Sequence, residues 1–233
     1  MTIQMDSKVP DRVLALKANA KSARDDGDWP EARARLDEAI DFMRELKDST
    51  APPGWLSVQL ADVYGLIGGI EKRWGLSLDG QERKRHLAAS VAAYDMGFGY
   101  EKDLQAADAN TYNRVNRLVG RVLLDPDVLE PGAADSDEVA DGLEAAEKIV
   151  TEEISSTRRK DPWAYCDLGT IQLLRGGEET LSVFYRLVKM RPQDYVYESA
   201  LATLEPLCDA ASEIRPELVS AVELLRKYRE FSS

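Results

Sequence analysis

Residues 161–193, DPWAYCDLGTIQLLRGGEETLSVFYRLVKMRPQ, constrain this chain more than any other stretch, because they specify two antiparallel helices. Asp161 followed by Pro162 pairs a capping carboxylate with a proline in the first turn, a favoured helix opening. Gly176 and Gly177 interrupt the apolar pattern after three turns, where the chain has to reverse. Leu181, Phe184, Tyr185 and Val188 then recur at spacings of three and four, which marks one buried helical face. Pro192 closes the second helix.

The order Tyr165, Leu168, Gly169, Gly176, Leu181, Tyr185, Val188 resembles a tetratricopeptide (TPR) unit, a helical pair of about 34 residues. It departs from that pattern at Gln172, where an aromatic is usual, and Pro192 falls one place early. Small residues in such a unit let two helices approach, and large ones fill the groove left by the next pair. Gly27, Ala32, Leu36 and Ala39 keep the same offsets as Gly176, Leu181, Tyr185 and Val188, so residues 9–43 resemble a second unit. Between and beyond these pairs the periodicity predicts further helices. One runs over 55–74, with Leu56, Leu60, Val63 and Ile67 inward. Another covers 82–98, with Leu87, Val91, Tyr94 and Phe98 inward. The next, 109–124, buries Tyr112, Val115, Leu118, Val119 and Val122. Helices over 136–154, 195–211 and 216–231 follow, and Pro206 predicts a kink or break near Glu205. Pro52-Pro53 and the 125–135 segment, with Pro126, Pro131 and Gly132, are connectors. No strand-like alternation occurs. The expectation is an all-α protein, a right-handed TPR-like α-solenoid of about ten antiparallel helices, forming one domain over 1–233.

Charge narrows the functions open to such a fold. Acids outnumber Lys and Arg by 42 to 30, and the excess concentrates between Asp125 and Glu153, where eleven acids face Lys148 alone. An acidic chain is a poor binder of nucleic-acid phosphates, so nucleic acid is excluded as a partner. No apolar run approaches the length of a membrane span, and the start lacks the basic and apolar regions of a secretory signal. Cys166 and Cys208 both lie in apolar helical patterns and read as buried thiols, which points to a reducing, cytoplasmic setting.

Little in the sequence carries catalytic chemistry. His86 is the single histidine and sits in the basic run Arg83-Lys84-Arg85-His86, which reads as an exposed helical surface. No metal-ligand spacing accompanies it, so no metal and no cofactor is expected, and the chain is not expected to be an enzyme. The segment GLIGGIEK, 65–72, lacks the order and the Ser or Thr of a phosphate-binding loop, and it lies inside a helical pattern. Its glycines lower helix stability by roughly 1 kcal/mol each relative to alanine, and they mark places where another helix comes close. One constellation faces outward in the pattern. Arg114, Arg117 and Arg121 form a stripe at i, i+3 and i+7 beside Asn113 and Asn116, suited to carboxylate or phosphate partners. The bland alternative is a solvated face paired with neighbouring acids, among them the 125–153 stretch.

The segments GLIGGIEKRW, YDMGF and YNRVN, in that order, give a Gly-rich helix, a Tyr94-x-x-Gly97-Phe98 segment and a Tyr112-x-x-x-Asn116 helix. Together with DPWAYCDLGT and DYVYESALATLEPL, they resemble a TPR-like family. That family includes the central regulatory, TRAF-binding region of the apoptosis-signal-regulating kinases and bacterial TPR proteins of conflict and immune-type signalling systems. The resemblance covers about Trp55 to Leu207 and departs from the family at Arg114, where a glycine is usual. It implies a non-catalytic scaffold or adaptor that recruits or regulates a signalling effector protein, with Tyr112, Asn113, Arg114, Asn116, Arg117 and Arg121 as candidate partner contacts. Tyr94, Phe98 and Tyr112 have a competing reading as core. The rival from another class is a regulatory sensor that grips a small phosphorylated ligand or nucleotide with the same stripe. No membrane partner is expected, and a homo-oligomer stays open.

Overall fold

A computed structural model describes residues 9–47, 54–101, 111–177 and 180–231. They form ten α-helices: α1 Asp11–Asp25, α2 Trp29–Lys47, α3 Leu56–Leu76, α4 Gly80–Glu101, α5 Tyr112–Leu124, α6 Ser136–Ser155, α7 Pro162–Arg175, α8 Thr180–Lys189, α9 Asp194–Ala211 and α10 Glu217–Glu230. A one-turn 3-10 helix, Pro126–Leu129, precedes α6. The described residues contain no strand, and their helices make the all-α, TPR-like solenoid class that the sequence predicts. The Pro52-Pro53 connector and the expected start of the fifth helix at 109–110 lie outside the described residues. Contacts group the chain into two compact units, Met1–Arg117 and Leu118–Ser233.

In the first unit α1 and α2 form a hairpin. Gly27, at φ +78°, makes the turn, and Asp28 caps the next helix by accepting from the Glu31 amide. The inward face is the one predicted: Val13, Leu16, Ala20, Leu36, Ala39 and Met43 are buried. Helix α2 packs on α3, and α3 pairs with α4 along most of its length. The glycines explain the closeness of that pair. A Cβ on Gly68 would lie 2.7 Å from the Tyr94 ring, and one on Gly75 would meet the Arg83 carbonyl at 3.2 Å. Further along α4, a Cβ on Gly97 would lie 2.6 Å from the Asn113 side-chain amide of α5.

The second unit contains the organising pair. Asp161 accepts from the Trp163 amide at the start of α7. Gly176 ends α7 in the left-handed region at φ +76°, with its N–H returned to the Gln172 and Leu173 carbonyls. A Cβ on Gly169 would meet the Phe184 ring of α8 at 2.5 Å, so the TPR-like small/large pairing is physical contact. Helix α6 lays Val139, Leu143, Ala146 and Val150 inward against α7. Helix α10 packs Leu218, Val222 and Leu225 on its neighbours, while Tyr228 is half-buried.

Several sequence expectations fail at single residues. Helix α9 continues through Pro206 to Ala211, so the break expected near Glu205 does not occur. Proline removes one backbone donor, and seven buried residues along α9 hold the helix against that loss. Tyr112 and Tyr185, both placed on buried faces by their spacing, are 45% and 48% exposed. Cys166 is buried and Cys208 only partly so. Spacing gives a residue's angular position on its helix, but the width of the covering neighbour decides whether that position is closed.

The glycine contacts make a testable contrast. Gly68→Ala should destabilise the chain by about 1–3 kcal/mol, because the Tyr94 ring has no room to retreat. Gly99→Ala, on the same helical pair with no atom within 4 Å of its Cβ position, should raise stability by about 0.5–1 kcal/mol. Urea unfolding of the two variants measures both signs.

Candidate functional site

The six candidate residues of α5 fare differently. Tyr112 offers an exposed ring, set edge-on to Tyr94 with centroids 5.9 Å apart. Asn113 is only 1% exposed, and its Nδ2 donates to the Ala61 carbonyl (3.0 Å) and to Glu101 Oε1 (2.6 Å). It fastens α5 to α3 and α4 and presents nothing to a partner. Arg114 and Arg117 both lie over the Phe98 ring, their guanidinium carbons 4.6 and 4.4 Å from its centroid. Arg117 also donates to Asp95 Oδ1 at 3.1 Å. Asn116 accepts from Lys72 Nζ at 2.9 Å and donates to the Tyr112 carbonyl. Arg121 pairs with Glu138 at 2.8 Å, within the acidic 125–153 stretch.

Beneath the stripe lies a buried polar layer that the sequence reading missed. His86, expected on the surface, is 3% exposed. Its Nδ1 is 2.7 Å from Glu71 Oε2, and its ring lies 3.9 Å, centroid to centroid, from Trp74. Glu71 is itself buried and also accepts from Arg33 Nη1 at 2.6 Å, joining α2, α3 and α4. The reason is local: Gly75 leaves space opposite, since a Cβ there would lie 3.1 Å from the His86 Cβ. Ser90 follows one turn later, donating to the Gly68 carbonyl at 2.8 Å. Two further ionisable groups are shifted by burial. Desolvation lowers Lys72 to about 8, helped by the charge on Arg73. Burial raises Glu101 to about 7 against the hydrogen bonds from Asn113, which pull it down. Each group is spent on packing neighbouring helices.

The second unit carries a different feature. Trp163 at the start of α7 and Tyr195 at the start of α9 are 37% and 55% exposed, with ring centroids 6.0 Å apart. Other exposed aromatics occur among the described residues, but Trp163 and Tyr195 are two exposed rings in contact with each other.

The family model described as Tetratricopeptide Repeats-Sensor, TPR-S, matches residues 3–124, just over half of the chain. The chain belongs to the TPR-S family. No curated protein and no solved structure matches it. The TPR-S segment takes in α1 to α5, hence the glycine-lined crossing, the buried polar layer and all six candidate residues of the stripe. Trp163 and Tyr195 lie outside the matched TPR-S residues. Among the described residues of this TPR-S chain, no helix is long and apolar enough to cross a membrane.

The shift on Glu101 has a sign. With a folded value of about 7 against the ordinary 4.5, the folded chain binds more protons than the unfolded chain between those values. Stability from this group is therefore full below about 4.5 and lost as pH rises to about 7. Glu101→Gln should flatten the fall in the urea midpoint between about pH 5 and about pH 8. An unchanged slope would remove Glu101 as its source.

Proposed function

We propose that this TPR-S chain is a non-catalytic cytoplasmic adaptor that recruits or regulates a signalling effector protein. The observation that carries the proposal is the exposed Trp163–Tyr195 pair at the starts of helices α7 and α9. Tryptophan and tyrosine are the residue types that dominate protein-interface energetics, since each buries a large rigid surface at low entropic cost. A partner presenting an apolar side chain would close over both rings. The Sensor designation of the family supports a regulatory role. The resemblance to the regulatory region of the apoptosis-signal-regulating kinases and to bacterial conflict-system proteins supports an effector as the partner. In the first unit, Tyr112 keeps an exposed ring and Arg114 part of its surface, whereas Asn113 is enclosed.

The test is recovery of partners by the tagged full chain at moderate salt, followed by mass spectrometry, for the native sequence and for Trp163→Ala/Tyr195→Ala. The double variant should keep its circular-dichroism melt and lose a stoichiometric protein partner by about 30-fold or more, as expected for two interface anchors. Equal recovery by the variant, or no retained protein with either chain, would contradict the proposal.

A further inference from the structure

The first unit holds a pocket lined by Tyr112 but by none of the arginines of the α5 stripe. Its rim carries three cations, Lys21 and Arg24 from α1 and Arg73 from α3, and its edge is formed by Tyr112. No carboxylate lines it. In a chain with twelve more acids than Lys and Arg, three cations around one small opening make a strong local reversal of charge. Arg24 bonds to the adjacent Asp25 carboxylate at 2.6 Å. Lys21 and Arg73 are exposed, and neither has a carboxylate partner among the described residues. The basic residues that are settled elsewhere show the contrast: Arg33, Arg117 and Arg121 each hold an acid.

The floor adds polar hydrogen. At Gly69 a Cβ would lie 3.4 Å from the Tyr112 hydroxyl, so this glycine keeps the space beside that phenol open. The remaining floor is apolar, including Leu36 and Ile70. The cavity volume is about 50 Å³. At roughly 10–15 Å³ per water on this measure, that is space for about four waters. Whole-ligand sites span roughly 300–1,000 Å³, so only the head of a ligand enters. A tetrahedral oxyanion has the matching size, and its oxygens match a ring of ammonium, guanidinium and phenol donors. The exposed ring of Tyr112 at the edge offers a planar surface to whatever the oxyanion is attached to.

We infer that this pocket binds the phosphoryl group of a small phosphate monoester, with a planar part of the same molecule lying against Tyr112. Such a site would let the chain respond to a metabolite.

Isothermal titration of the full chain with adenosine 5′-monophosphate, inorganic phosphate and adenosine tests the inference. The monophosphate should bind, inorganic phosphate should bind more weakly, and adenosine should give no heat. Arg73→Glu and Lys21→Glu should each weaken the monophosphate by about tenfold or more, the loss expected for a charge-assisted contact turned repulsive. Because both side chains are exposed, their circular-dichroism melts should match the native chain. Arg85→Glu, an exposed arginine of α4 already paired with Glu82, should leave binding unchanged. The inference is overturned if neither phosphate compound binds, if Arg73→Glu and Lys21→Glu bind like the native chain, or if a phosphoserine peptide binds and the monophosphate does not.

Discussion

The structure of the first unit depends on how closely α3 can approach its neighbours. Gly68 sits against the Tyr94 ring, Gly65 against Tyr112 and Asn113, and Gly75 against the backbone and His86 of α4. A side chain at any of these positions would push the helices apart, since closely packed interiors have no slack to absorb a methyl group. The glycines lower the intrinsic helix stability of α3. The compensation is contact: Tyr94 is fully buried, and Leu60, Ile67 and Leu87 close around the same helical pair.

That closeness explains why the interior here is polar. Where helix axes approach over glycine, even short polar side chains on the opposing helix find backbone or side-chain partners. Ser90 reaches the Gly68 carbonyl, His86 reaches Glu71, and Asn113 reaches the Ala61 carbonyl and Glu101. A buried polar group left without a partner costs more than a satisfied one contributes, so such a network favours one register of α3, α4 and α5 over its neighbours. It also fixes Arg73 and Tyr112 at one pocket, because both are carried by the helices that the network holds together.

Much of the architecture was legible in the sequence. The offsets shared by residues 27–39 and 176–188 identified two helical hairpins, and the apolar faces of α1, α2, α6 and α10 follow the predicted spacing. Gly65, Gly68 and Gly69 are legible as sites of close approach, whereas Gly75 carries no such signal. What approaches them was not legible. On α4 the inward stripe is His86, Ser90, Tyr94, Gly97 and Glu101, mostly polar, so a hydropathy pattern points to Val91 and leaves His86 outside. A hidden signal was present: small and polar residues recur on α4 at helical spacing opposite a glycine-bearing helix. The α5 stripe was correct as an angular position. Its pairing with acids follows the solvated-face reading, since Arg117 meets Asp95 and Arg121 meets Glu138, but the Phe98 ring under Arg114 and Arg117 was not legible. Trp163 and Tyr195 lie 32 residues apart in sequence, and only the packing of α7 with α9 brings the rings together.

Native-state hydrogen exchange on the full chain measures the central claim, that the glycine-lined crossing is the rigid frame of the TPR-S segment. The amides of residues 65–75 and 86–101 should be among the slowest to exchange, opening only with global unfolding, despite the low helix propensity of the glycines. If those amides exchange as quickly as the exposed ends of α1 and α10, the crossing is a loose contact and the account built on it fails.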